Sequence, residues 1–413
     1  MRRSLVAAAL ALALGCGVAS ASPAGQIEFW TISLQPFFTT YIQELIGRYE
    51  RLHPTVRIRW IDVQPQAVDQ KLLAAIAGGV GPDVVNLNTE GMIRMAQAHA
   101  LVDMEDAVPA SARSRYFPNI WASLRVGGHA YGIPWYVVPD VLAYNTTLFR
   151  RAGLDPAHPP ATMDAFIQDA SQIKQRAGVY GFMPNVDGIR FLKVFREEGL
   201  LILSPDHARA VFDGPAHVAL LARYVGLFKR GMFPDDTLRR GYLGATERYA
   251  AGQLAMLTTG PQFLLRVRTD SPEVYQNTAV APAPLGRGHI LDLPTMDLAV
   301  PLASRHRPEA VEFALYVTND ENQLAFSHLV VIFPSTRAAA ADPYFTRAGS
   351  SPEERARVVA ARELAIARDL TVVVPHSDDL FRIFREAVEN AFYGRMTSQQ
   401  ALSWAVKEWN ARL

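Results

Sequence analysis

Tyr131-Gly-Ile-Pro-Trp-Tyr-Val-Val-Pro-Asp-Val-Leu-Ala-Tyr-Asn145 is the stretch on which the reading of this chain turns. Gly132 and Pro134 open it as a turn pair, and Trp135 and Tyr136 follow as adjacent aromatics. After Pro139 comes an apolar run, Val141 to Tyr144, that reads as a strand. Asn145-Thr146-Thr147 closes it ahead of a helical Leu148-Phe149-Arg150. Proline holds itself and its preceding residue extended, so Ile133 and Val138 are driven toward strand or polyproline geometry. Large aromatics in such a segment can be core, or they can floor a cleft between two bodies joined by extended crossovers. The cleft is the expectation, with the chain changing lobes here.

Length points the same way, because 413 residues exceed what one hydrophobic core usually organises. A hydrophobic content of 49% with 20% charged residues is ordinary for a soluble globular protein. The formal charge is +1, and losing Arg2 and Arg3 with a leader takes two from it, to −1. That balance argues against a nucleic-acid face, which needs a basic surplus.

Residues 1–21 read as a signal peptide. Arg2 and Arg3 form the positive region, Leu5 to Leu14 the apolar one, and Ala19-Ser20-Ala21 a cleavage site before Ser22. The apolar run is too short to span a bilayer. Cys16, the one cysteine, follows Gly15 as in a lipoprotein processing site, although Ala13 and Leu14 fit that pattern poorly. It is either a lipid anchor or lost with the leader, and the rest of the chain has no thiol for a disulfide, a metal or a nucleophile.

Beyond the leader, strands and helices alternate. Ile27 to Trp30 reads as a strand, Phe38 to Leu52 as an amphipathic helix, and Val56 to Trp60 as a half-buried strand. A helix from Ala67 to Ile76, a strand Val84 to Leu87 and a helix near Met92 to Ala98 follow. This βαβαβα order implies mixed, mostly parallel sheets flanked by helices, with ligands beyond the carboxyl ends of the strands. Further on, Thr162 is an expected N-cap, and helices are expected over Pro215 to Lys229 and Pro308 to Thr318. Short strands are expected at Leu254 to Leu257 and Val280 to Pro284, and three helices after Pro352. No catalytic signature is present: no Gly-x-Ser-x-Gly, no His-Glu-x-x-His, no phosphate loop, and no histidine pair at helical spacing. Neither a metal nor a cofactor is expected. Asp378-Asp379 reads as the first turn of a helix and Asp235-Asp236 as a solvated turn.

A resemblance then runs along nearly the whole chain. It is carried by Ile27-Glu-Phe-Trp30, His53-Pro54, Gly81-Pro-Asp-Val84, Tyr131-Gly-Ile-Pro134, Tyr144-Asn145 with Leu148-Phe149, and Ala152-Gly-Leu154. It continues through Ala250-Ala-Gly-Gln-Leu-Ala-Met256, Gly260-Pro261, Phe333-Pro334, Gln400-Ala-Leu402 and Trp409-Asn410. In that order these resemble the extracellular solute-binding proteins of carbohydrate uptake, the type that includes maltose-binding and glycerol-phosphate-binding proteins. The resemblance implies a two-lobed α/β periplasmic-binding-protein fold with three hinge crossovers. Its lobes would be residues 22–140 with 297–333 and residues 141–296 with 334–413. It implies capture of a sugar or related polyol, phosphorylated or not, by a monomer. The partners would be two ABC permease membrane subunits driven by a cytoplasmic ATPase, and the location outside the cytoplasmic membrane.

Sugars present apolar C–H faces rimmed by hydroxyls, so aromatics and paired polar groups suit them. The resemblance assigns Trp30, Ser33, Gln35, Asn88, Thr89 and Glu90 to the ligand from the first lobe, and Trp135 and Tyr136 from the crossover. From the second lobe and the return crossover it assigns Asp187, Arg190, Gln262, Thr295, Met296 and Asp297. Each has an ordinary alternative as core, ion-pair partner or turn. Maltose-type members carry an aromatic directly after the Gly-Pro, where this chain has Gln262. That favours a smaller or more polar ligand. Two other readings use the same lobes. An exported carbohydrate-active enzyme would need two opposed carboxylates, for which Glu90 and Asp187 are the candidates. A receptor would instead signal to a membrane partner.

Overall fold

The computed structural model describes residues 25–413, apart from Gln66, Asp187, Gly188, Ala348 and Ala365. The leader with Cys16, and the ligand candidate Asp187, lie outside the described residues. Among the described residues two main sheets stand beside two two-stranded ribbons, and the largest sheet takes β1 (Gly25–Ile32), β2 (Val56–Val63), β3 (Val84–Asn88) and β4 (Ile133–Val137). The chain then passes into a smaller sheet of β5 (Val141–Asn145), β6 (Met256–Thr259) and β7 (Thr278–Pro282). It returns to the larger one with β8 (Thr295–Ala299) and β9 (Phe333–Pro334).

Strand order in the larger sheet is β9-β4-β8-β3-β1-β2. Pairing is parallel for β1 with β2 and β3, where the helices Thr39–Leu52 and Val68–Ala77 supply the crossovers that parallel strands need. It becomes antiparallel where β8, β4 and β9 join, so the sheet is mixed. The first helix buries Tyr41, Ile42, Leu45 and Tyr49 on the sheet, the spacing of one helical face. The smaller sheet runs β6-β5-β7, all antiparallel.

Around the smaller sheet lies an aromatic core that draws in the carboxyl-terminal helices Ser377–Phe392 and Ser398–Asn410. Phe212, Phe384 and Trp409 meet edge to face there, and the Trp409 indole N–H donates to the Leu380 carbonyl at 2.7 Å. Thr397 and Ser351 start their helices with reciprocal capping boxes. Asp378 and Asp379 do occupy a helical first turn, whereas Asp236 is not simply solvated, because one guanidinium nitrogen of Arg248 donates to both its carboxylate oxygens.

Candidate ligand-binding cleft

Between the two sheets lies a cleft of about 560 Å³. The passage from β4 to β5 is the three residues Val138-Pro139-Asp140, and both Val138 and Asp140 line that cleft. The larger-sheet side is mostly apolar, with Leu34, Phe38, Phe326 and Ile332 joined by Ser33, Tyr136 and Met296. The charged groups come from elsewhere: Asp140 from the passage, Arg190, Lys193 and Glu197 from the helix Arg190–Glu197, and Asp292 from the return.

Local structure explains each placement. Asp62 of β2 accepts from the Thr31 hydroxyl and from the Leu34 and Gln35 amides, which shapes the turn that carries Ser33 at the carboxyl end of β1. In the helix Arg190–Glu197, Phe191, Leu192 and Phe195 go into the core. Arg190, Lys193, Val194 and Glu197, spaced i, i+3, i+4, i+7, share the cleft face. At Gly260 a Cβ would stand 2.4 Å from Val138 Cγ1, so glycine permits the close approach that brings Gln262 to the cleft.

The electrostatics are those of crowded carboxyls. Lys193 Nζ sits 2.6 Å from Asp292 Oδ2, and the Leu370 amide donates to the other oxygen of Asp292. Burial pushes Asp140 up to about 7; Asp292 adds to the rise, while Lys193 and Arg190 oppose it. Burial raises Glu197 to about 8, reinforced by Asp292 and Asp140 and opposed by Lys193. Two amide oxygens lining the cleft, Asn185 Oδ1 and Gln262 Oε1, are buried without a hydrogen-bond partner. Among the described residues, no group of three or more His, Cys, Asp or Glu is placed to hold a metal.

Of the fourteen residues assigned from sequence, Ser33, Tyr136, Arg190, Gln262 and Met296 lie on the cleft. Others do not reach it. β1 runs two residues past Trp30, so Trp30 is mid-strand, buried under helices, with its indole N–H donating to Glu28. Trp135 is fully buried, because strand alternation gives the cleft side to Tyr136, although the two rings still meet at 5.3 Å and both pack on Phe326. Asp297 and Thr295 flank Met296 and are buried on the same principle. Gln35 points to solvent. Asn88 is used as a cap, accepting from the Gly91 amide, and Thr89 donates to Asp369 at 2.6 Å. Glu90 stands in the first turn of that helix, away from the cleft. The opposed pair Glu90 and Asp187 thus loses one member from the cleft. Sequence reasoning missed Asp140, Lys193, Glu197, Asp292, Tyr224 and Tyr242. Asp140 had a signal, as the polar residue ending a proline-stiffened passage; Lys193 and Glu197 looked like any solvated helix face.

Comparison with known proteins agrees with this geometry. The model of the bacterial extracellular solute-binding proteins matches residues 34–324. An uncharacterized lipoprotein in the oleD 5′ region of Streptomyces antibioticus is 25% identical over 83% of this chain and 78% of its own length. The sn-glycerol-3-phosphate-binding periplasmic protein UgpB of Escherichia coli is 24% identical over 98% of this chain and 96% of its own. Among solved structures, a Synechococcus sp. MITs9220 periplasmic-binding protein, oligosaccharide-type by description and crystallised with zinc, is 31% identical. It superposes with a TM-score of 0.86 over 94% of this chain and 98% of that one. With its two sheets, short passages and intervening cleft, the chain belongs to the bacterial extracellular solute-binding protein family.

Proposed function

We propose that this protein is the capturing component of an ABC importer. It takes a sugar or related polyol into the cleft and hands it to two permease subunits powered by a cytoplasmic ATPase. The observation that supports this most is the cleft itself, where an apolar and aromatic wall on the larger-sheet side faces unpaired polar groups from the passage, the helix Arg190–Glu197 and the loops bearing Asn185 and Gln262. Ser33, Tyr136, Arg190, Gln262 and Met296 contact the ligand, with Asp140, Lys193 and Glu197 added to them. The lobes, residues 22–140 with 297–333 and 141–296 with 334–413 except that Thr295, Met296 and Pro334 go with the larger sheet, rock about their crossovers. A ligand touching both lobes only when they close shifts the population toward the closed form. The chain performs no bond-making, acts as a monomer, and is exported, held outside the cytoplasmic membrane either free or through Cys16.

Small-angle scattering tests the closing step, and the radius of gyration is expected to fall when the bound sugar is added. An unchanged radius with a ligand known to bind would defeat the mechanism. A second reading, capture of a phosphorylated polyol, is favoured by the likeness to UgpB.

A further inference from the structure

We infer that the cleft selects a ligand bearing a positive charge and many hydrogen-bond donors, an amino sugar or aminated polyol, and rejects phosphorylated ones. This rests on the reading of the cleft as a sugar site. Three carboxylates line it, Asp140, Glu197 and Asp292, against two cations, Arg190 and Lys193. Lys193 is already engaged by Asp292. The Asp140 and Glu197 carboxylates have no hydrogen-bond or ion-pair partner among the described residues, and neither has the Arg190 guanidinium. Adding the unmet oxygens of Asn185 and Gln262 gives four acceptors facing one guanidinium.

A buried acceptor left unpaired is costly, so the ligand should supply donors. A phosphate supplies the opposite: acceptor oxygens and negative charge, set against Asp140 and Glu197. An ammonium group brings three donors and one positive charge, and Tyr136, Tyr224 and Tyr242 add aromatic rings to the same lining, which suit a cation. A hydroxyl in its place donates once and leaves the carboxylates uncompensated. Without a ligand, burial and mutual crowding raise these carboxyls, to about 7 for Asp140 and about 8 for Glu197, so near pH 7.5 the pair is only partly protonated and a bound cation favours its full ionisation. The charged and titratable groups around the pair are Asp292, Lys193, Arg190 and Glu198, with Glu363, Tyr224 and Tyr242 in electrostatic reach.

The test is a thermal-shift screen of the exported chain with matched triplets: glucosamine, glucose and glucose 6-phosphate, then the corresponding disaccharides and polyols. Binders are followed by calorimetry. The amine member of a triplet is expected to bind at least tenfold more tightly than its hydroxyl counterpart at pH 7.5. At pH 6.5, where the amine is already charged, its binding should release protons from the carboxyls, read as a heat that depends on the buffer. That advantage should shrink at pH 5, where both carboxylates are protonated. In Glu197→Gln and Asp140→Asn the ratio of amine to hydroxyl affinity should fall toward one, whatever either change does to the hydroxyl affinity itself. Equal amine and hydroxyl affinities without proton release, or tightest binding by the phosphate, would overturn the inference and leave sugar capture standing. No shift from any member of any triplet would count against sugar capture as well.

Discussion

Trp135 and Tyr136 are neighbours in one strand, as are Met296 and Asp297 in the strand beside it, yet each pair is divided between two environments. Trp135 and Asp297 face the packed interior, fully buried. Tyr136 and Met296 face the cleft. The two acid environments differ in the same way. Asp297 has both oxygens enclosed and unpartnered against Gly132, where a Cβ would come within 2.7 Å. Asp140 and Glu197 are also unpartnered, but they border an open cavity of about 560 Å³. An unmet acid beside a cavity can be answered by a ligand; one inside a packed core can be answered only by a proton.

The sharpest way to break that contrast is to truncate the two aromatics. Trp135 packs against Phe29 and Phe326, with ring centroids 6.4 and 5.5 Å away. Trp135→Ala should therefore cost about 3–5 kcal/mol of stability, measured by urea unfolding. Tyr136→Ala should cost far less stability and weaken ligand binding by roughly tenfold, the loss of about 1.4 kcal/mol of contact. If instead Trp135→Ala spares the fold and removes binding, the assignment of faces is inverted.

Much of this was legible beforehand because the hydrophobic period is strong where packing is two-sided. The helices Thr39–Leu52 and Pro215–Lys229 carry their stripes openly, and Thr162 caps its helix as expected, accepting from the Ala165 amide. The family likeness was legible for the same reason, being spread along the chain. The cleft was only partly legible. Strand alternation tells that Trp135 and Tyr136 part company, but not which of them meets the other lobe. Ending β1 at Trp30 instead of Ile32 misplaced the ligand-facing end of that strand. Lys193 and Glu197 are polar residues on an amphipathic helix, and only the tertiary arrangement turns their face from water to a cleft.

A smaller effect sharpens the acid comparison. Burial holds the Asp297 carboxyl well above its usual range, with Asp369 pushing the same way. Above about pH 4 the native state thus keeps a proton that the unfolded state has released. Stability contributed by that group is greatest at acidic pH and falls as pH rises, by up to about 1.4 kcal/mol per pH unit. Glu363, raised to about 8, acts in the same sense between its unfolded value and about 8. The urea midpoint of the unliganded protein should therefore drop between pH 5 and pH 8. Asp297→Asn, which mimics the protonated acid, should flatten that fall. Parallel curves for variant and wild type would show that Asp297 does not drive it.

The smallest predicted effect separates structure from ligand contact at Thr89. Its hydroxyl donates to Asp369, and Asp369 follows the short strand Ala367–Arg368, which pairs with Leu291–Asp292. The bond therefore ties the helix Thr89–Gln97, packed on the larger sheet, to the segment that backs the cleft residue Asp292. Thr89→Val keeps the shape and removes the donor. The Asp369 carboxyl, already raised by burial and held down in part by Thr89, should rise further. A stability loss of about 1–2 kcal/mol at neutral pH is expected, the usual cost of leaving a buried acceptor unpaired. Because the hydroxyl is engaged inside the protein, ligand affinity should change less than threefold. Loss of affinity with stability intact would instead put Thr89 in the binding site, and the structural bond would then be incidental.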